Sequence, residues 1–179
     1  MIDTSLKYQT PLPVCMHMID MLPAWCNSIL EPTPGQGNIS GLLQQRKYKV
    51  TAPIDFFQFD CKSMKRFDAV IMNPPFTDKS LITTFAPSEV NLKGMRAGYY
   101  ILDRCMERTD NVIALMPWFT ILDSDVRLKL LKKYGLISVT ALPRKTFNYD
   151  RIQTCILQLQ KGYRGETILK SFDINLLKK

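Results

Sequence analysis

Apolar positions along this chain alternate between two patterns, short β-branched runs and longer stretches with helical spacing. At 11–22, Val14, Met18, Ile19 and Leu22 recur at helical intervals and Pro23 stops the run. Residues 27–30 read as a short strand leading into Glu31, 39–47 as a helix after a Gly turn, and 48–53 as a second short strand. The mainly apolar runs at 67–72 and 111–116 predict buried strands. Residues 94–108 suit a helix, and 124–134 an amphipathic one with Asp123 or Ser124 as N-cap and Gly135 past its end. Two further strands are predicted at 136–142 and 152–160, then a turn at 162–165 and one last strand at 166–172. Strand alternating with helix implies an α/β fold with a mostly parallel sheet. The short link around 147–150 implies an antiparallel pair near the C-terminus. The stretch 77–93 has no periodicity and predicts a long, lid-like loop.

Two turns carry candidate chemistry. Asn73-Pro74-Pro75-Phe76 leaves the strand at 67–72. The Asn73 amide oxygen and the Pro74 carbonyl are two acceptors for one exocyclic NH2, which suits methyl transfer to a planar nitrogen. Pro74 and Pro75 fix their own φ, and Pro75 drives Pro74 out of the α region, so the acceptors are set before substrate arrives. Phe76 offers a flat face for stacking. The other turn, Glu31-Pro32-Thr33-Pro34-Gly35-Gln36-Gly37-Asn38, leaves the strand at 27–30 and enters a helix. Gly35 and Gly37 allow positive φ and close backbone approach to a ligand. The Glu31 carboxylate at the strand tip suits a cationic amino acid moiety or ribose hydroxyls. The phosphate-cradling GxxxxGK[ST] pattern is absent, which argues against a nucleoside triphosphate.

Composition narrows the picture. The 179 residues, 46% of them hydrophobic, favour one domain that buries roughly two thirds of its extended-chain surface. The net charge of +8 favours an acidic partner, nucleic acid being the commonest. Lys79, Lys93, Arg96, Arg144 and Lys145 are candidate phosphate contacts. Cys15, Cys26, Cys61, Cys105 and Cys155 form no CxxC pair, and the single His17 has no metal-ligand company. Reduced thiols, no metal site and a cytoplasmic setting follow as expectations. No signal peptide is apparent, and the longest apolar stretch, 112–122, is broken by Pro117 and too short to span a bilayer. No membrane partner is expected.

Together the two turns, in this order and with strands between them, resemble the S-adenosylmethionine-dependent amino methyltransferases, above all those that methylate adenine N6 in DNA. Acidic-Pro-x-x-Gly-x-Gly is similar to the family's first cofactor motif, and Asn73 to Phe76 to its catalytic motif, which also borders the cofactor. The resemblance implies a Rossmann-like methyltransferase fold, S-adenosyl-L-methionine as cofactor, and a bacterial or phage-like restriction-modification setting. It further implies roles for three segments. Tyr8-Gln9-Thr10-Pro11 is similar to the segment that closes over the methionine end of the cofactor. Asp55-Phe56-Phe57 is expected at a strand end before the catalytic strand, where Asp55 would accept from the cofactor's adenine amine while Phe56 covers its face, with Asp60 a rival for the acidic role. Leu142 to Phe147 resembles the late segment whose aromatic, here Phe147, packs near the target base.

The chain departs from the family in two places. The second cofactor motif normally supplies an acidic residue that grips ribose, then a helix; here Lys49-Val50-Thr51-Ala52-Pro53 runs almost at once into Asp55. Nothing after the last predicted strand is long enough for a target-recognition domain, so residues 1–179 are expected to be one catalytic domain, and either a separate subunit supplies specificity or many adenines are accepted. RNA adenine or a protein glutamine amide stays open as substrate, as does a catalytically inert binding subunit.

Overall fold

The computed structural model describes residues 9–62, 65–75, 97–147 and 152–178. Tyr8, Phe76, Lys79, Lys93, Arg96 and the stretch 77–93 lie outside the described residues. Seven strands form one sheet: β1 (Ser28–Leu30), β2 (Lys49–Thr51), β3 (Ala69–Met72), β4 (Asn111–Pro117), β5 (Leu136–Ala141), β6 (Thr154–Gln160) and β7 (Ile168–Ser171). Their order is β2-β1-β3-β4-β6-β5-β7. The first four are mutually parallel, and β6 runs antiparallel to both β4 and β5.

Every residue of β3 and β4 is buried, as strands covered on both faces should be. Successive side chains go to opposite layers. Leu30, Val70, Met72, Val112, Ala114 and Met116 pack beneath α3 (Phe56–Lys62), α4 (Ala97–Arg108) and, past the short α5 (Phe119–Leu122), α6 (Asp125–Tyr134). Ile29, Ala69, Ile71, Ile113 and Leu115 pack on the other face beneath α1 (Leu12–Asp20) and α2 (Asn38–Gln45). Ser124 caps α6, its Oγ accepting from the Arg127 N–H at 3.3 Å. A 3-10 turn (Ile174–Lys178) follows β7.

One feature differs from the expected pattern. Residues 55–57 do not end a strand; they open α3, with Asp55 Oδ1 accepting from the Gln58 N–H at 2.9 Å. The run Phe56-Phe57-x-Phe59 fits one helix face as well as a buried strand, and the Asp cap decides between them. The last strand pairs in parallel with β5. Both edges of β6 are already taken by β4 and β5, so the returning chain must step over β5 to find a free edge. Cys15, Cys26, Cys105 and Cys155 are buried free thiols. Among the described residues no helix is long and apolar enough to cross a membrane.

Candidate active site

Parallel β1, β3 and β4 lie side by side, so Glu31, Asn73 and Pro117 leave the sheet at one edge. Ligands of open α/β sheets bind at this carboxyl edge. The turn after β1 is shaped by its glycines, with φ of 55° at Gly35 and 84° at Gly37. The Gly37 N–H closes the turn on the Pro34 carbonyl at 2.8 Å, and α2 begins one residue later. A Cβ on Gly35 would stand 2.8 Å from Gln9 Nε2, so the segment before α1 packs directly on the turn. Pro32 is buried at the strand tip.

Glu31 is 1% exposed, and its Oε2 has no hydrogen-bond partner among the described residues. Burial pushes its carboxyl up to about 7, while the N–H and hydroxyl of Ser40 in the first turn of α2 act the other way. A buried carboxylate oxygen without a donor is costly, and a ligand bringing N–H or O–H groups removes that cost.

Asn73 is held from two sides. Its Nδ2 donates to Thr10 Oγ1 at 3.0 Å, and its backbone carbonyl accepts from Thr33 Oγ1 at 3.2 Å. Thr10 comes from the segment before α1 and Thr33 from the turn after β1. Asn38 Nδ2 in turn donates to the Thr10 carbonyl at 3.0 Å. Both candidate turns and the chain entering α1 at Pro11 are therefore one hydrogen-bonded unit. Pro74 is buried, and Gly98 in α4 packs against it: a Cβ there would stand 3.3 Å from Pro74 Cγ.

The remaining candidates fall into two groups. Asp55 spends one oxygen on the α3 cap, and Phe56 is 4% exposed within the layer beneath α3 and α4. Asp60 pairs with Arg104 Nε at 2.8 Å and Arg108 Nη2 at 2.5 Å, so the acidic rival to Asp55 is engaged in joining α3 to α4. Arg144 and Lys145 are exposed on the turn after β5, at the same sheet edge as Asn73. Phe147 is half-buried against the layer beneath α1 and α2. His17 meets Phe172 edge-on at 5.3 Å, away from both turns, and burial lowers its pKa.

The roles of Thr33 and Gly98 are not readable from any motif. Thr33 occupies a variable position between the motif's Pro and Gly. Gly98 does leave a signal, because glycine inside a helical pattern marks close backbone approach.

No family model matches this sequence, and no curated protein does. Solved structures do match. The methyltransferase subunit of a type I restriction-modification system from Streptococcus thermophilus superposes with a TM-score of 0.68 at 17% identity, over 96% of this chain and 52% of that one. A protein from Listeria monocytogenes assigned to the class I S-adenosylmethionine-dependent methyltransferases gives 0.69 at 18%, over 96% and 68%. The M protein of the type I restriction enzyme EcoKI gives 0.60 at 12%, over 90% and 45%. The chain thus spans about half of the two restriction-system subunits. At these identities the likeness is one of fold: a seven-stranded mixed sheet with its antiparallel pairs towards the C-terminus, typical of Rossmann-like methyltransferases.

The geometry suits a ligand that brings N–H or O–H groups to this edge. A buried, donor-seeking carboxylate stands at the tip of β1, and the adjoining turn is held open by two glycines in the left-handed region.

Proposed function

We propose that this chain transfers the methyl group of S-adenosyl-L-methionine to the N6 amino group of adenine in nucleic acid, with DNA as substrate. The observation that carries the reading is the hydrogen-bonded union of Asn73 with the turn that bears Glu31. It puts a candidate amino-orienting residue and a candidate cofactor turn at neighbouring strand ends.

When bound, the cofactor supplies an electrophilic methyl on a sulfonium. Glu31 would accept from its donor groups, and Gly35 and Gly37 would let the turn approach it closely. The Asn73 amide oxygen and the Pro74 carbonyl each accept one N–H of the adenine amine, aiming the nitrogen lone pair along the transfer direction. Phe76 stacks the base. In duplex DNA this atom lies within the stack, so the base must be flipped out. Arg144 and Lys145 meet phosphates near the same edge.

Radiolabelled methyl transfer to DNA, RNA and protein tests the proposal in one assay. Label on N6 of DNA adenine is expected. Label only on RNA or on glutamine would move the substrate; none on any of them, with cofactor bound, would overturn the activity.

One observation favours a second reading, an inert subunit that keeps the fold. Among the described residues β2 is an edge strand, and Ala52-Pro53, with no acid, follows it where the family grips ribose. Calorimetry with S-adenosylmethionine separates the two, since the inert subunit shows no binding.

A further inference from the structure

We infer that Thr10 is a positioning residue: its hydroxyl holds the Asn73 side-chain amide in place, in an arrangement that leaves the amide oxygen for the substrate. The inference rests on the proposed role of Asn73. An asparagine can serve an incoming amine only with its oxygen turned towards it; a flip about the last side-chain bond would present an NH2 and repel the substrate. Thr10 Oγ1 accepts from Asn73 Nδ2 at 3.0 Å, and an amide that gives its NH2 to Thr10 directs its oxygen away from Thr10. Thr10 is itself well anchored. It is 3% exposed, and it precedes Pro11, which restricts its backbone to extended conformations. Its carbonyl accepts from Asn38 Nδ2 at 3.0 Å and from Cys15 Sγ at 3.4 Å. Meanwhile Thr33 fixes the Asn73 backbone, so side chain and main chain are set independently. Thr10 thus acts through Asn73, whereas the family resemblance alone would make it a cofactor contact.

The test compares Thr10→Val, which keeps the shape and removes the hydroxyl, with Thr10→Ser, which keeps the hydroxyl. Wild type and Asn73→Ala are assayed first: transfer by the former and its loss in the latter establish the underlying reading on their own. Thr10→Val should then lower kcat about tenfold or more, the loss of one oriented hydrogen bond, with cofactor affinity and Tm near wild type. Thr10→Ser should restore kcat. Thr10→Val at the wild-type rate, or Thr10→Ser as impaired as Thr10→Val, overturns the inference and leaves the proposed activity standing. A loss of cofactor affinity matching the loss of kcat would also overturn it, since Thr10 would then be a cofactor contact.

A second measurement needs neither activity nor a folded Thr10→Val. The side-chain NH2 of Asn73 in the 15N-labelled wild-type protein should show one proton protected from solvent exchange. Two rapidly exchanging protons would sink the clamp even if no substrate were ever found.

Discussion

A Cβ on Gly98 would stand 2.8 Å from the carbonyl oxygen of Pro75, closer than real side chains approach a backbone atom. The first turn of α4 therefore serves as the wall behind the Asn73-Pro74-Pro75 turn, and only glycine leaves that turn in place.

This relationship sets two effects against each other in Gly98→Ala. Helix propensity alone would stabilise α4 by about 1 kcal/mol. The collision is with backbone, which cannot swing aside as a side chain can. The expected outcome is a loss of kcat through displaced acceptors, with cofactor affinity retained. Steady-state kinetics beside a cofactor titration check it, and full turnover in Gly98→Ala would show that the turn is not held from this side.

Asn73→Ala removes one of two acceptors for the adenine amine. By analogy with deleting a single oxyanion-hole donor, the transition state should lose on the order of 3 kcal/mol, a fall in kcat of about a hundredfold. Cofactor binding should survive. Native turnover in this variant would end the catalytic assignment.

The order of elements was legible because its strongest signals are local. The apolar runs ending at Met72 and Met116, and the Ser124 and Gly135 caps, each report burial or helix ends without knowledge of the rest. The helix at Phe56 was not legible, since three phenylalanines within four residues satisfy either period. The parallel placement of Ile168–Ser171 was hidden for a different reason: it depends on which sheet edges other strands have already occupied. In the site, Glu31 and Asn73 stand out as chemistry at strand tips. Thr33 matters only for what it touches some forty residues away, and nothing local marks that; Gly98, some twenty residues from the turn it backs, is marked only as a glycine inside a helical pattern.

Gly37→Val tests the cofactor turn. At φ 84° a β-branched residue costs roughly 1–2 kcal/mol, and the new side chain would crowd Ser40 Oγ, 3.3 Å from the Cβ position. The protein should stay folded by circular dichroism and lose S-adenosylmethionine binding by calorimetry. Unchanged affinity would place the cofactor elsewhere.

Asp60→Ala tests the joint between α3 and α4. Arg108 is 3% exposed and would be left as a buried cation without the carboxylate that Asp60 supplies. Removing one member of a buried pair costs up to about 3–5 kcal/mol; Arg108 Nη2 keeps its bond to the Asp60 carbonyl, so Tm should fall by part of that. A melt within a degree of wild type would mean that Arg108 finds compensation elsewhere.

Glu31 gives the prediction with the most distinctive pH signature. Its folded carboxyl is raised from the ordinary 4.5 to about 7, so between these values the folded chain binds more protons than the unfolded chain. Stability from this group is therefore complete below pH 4.5, declines as pH rises through about 7, and stays low above it. The shift corresponds to roughly 3 kcal/mol. Glu31→Gln, which cannot ionise, should be more stable than wild type at pH 8 by up to this amount, with the difference vanishing at acid pH. The same variant should bind S-adenosylmethionine poorly, because the amide presents one acceptor oxygen and no charge. In wild type a donor-bearing ligand needs the carboxylate form, so binding at pH 6 must release a proton, and affinity should weaken about tenfold per unit as pH falls further. Chemical denaturation at two pH values measures the first effect; calorimetry in buffers of different ionisation enthalpy measures the second. If Glu31→Gln is the less stable protein at pH 8, the carboxylate already has its donors in the free chain. Binding without proton release at pH 6 would mean instead that the ligand never touches Glu31.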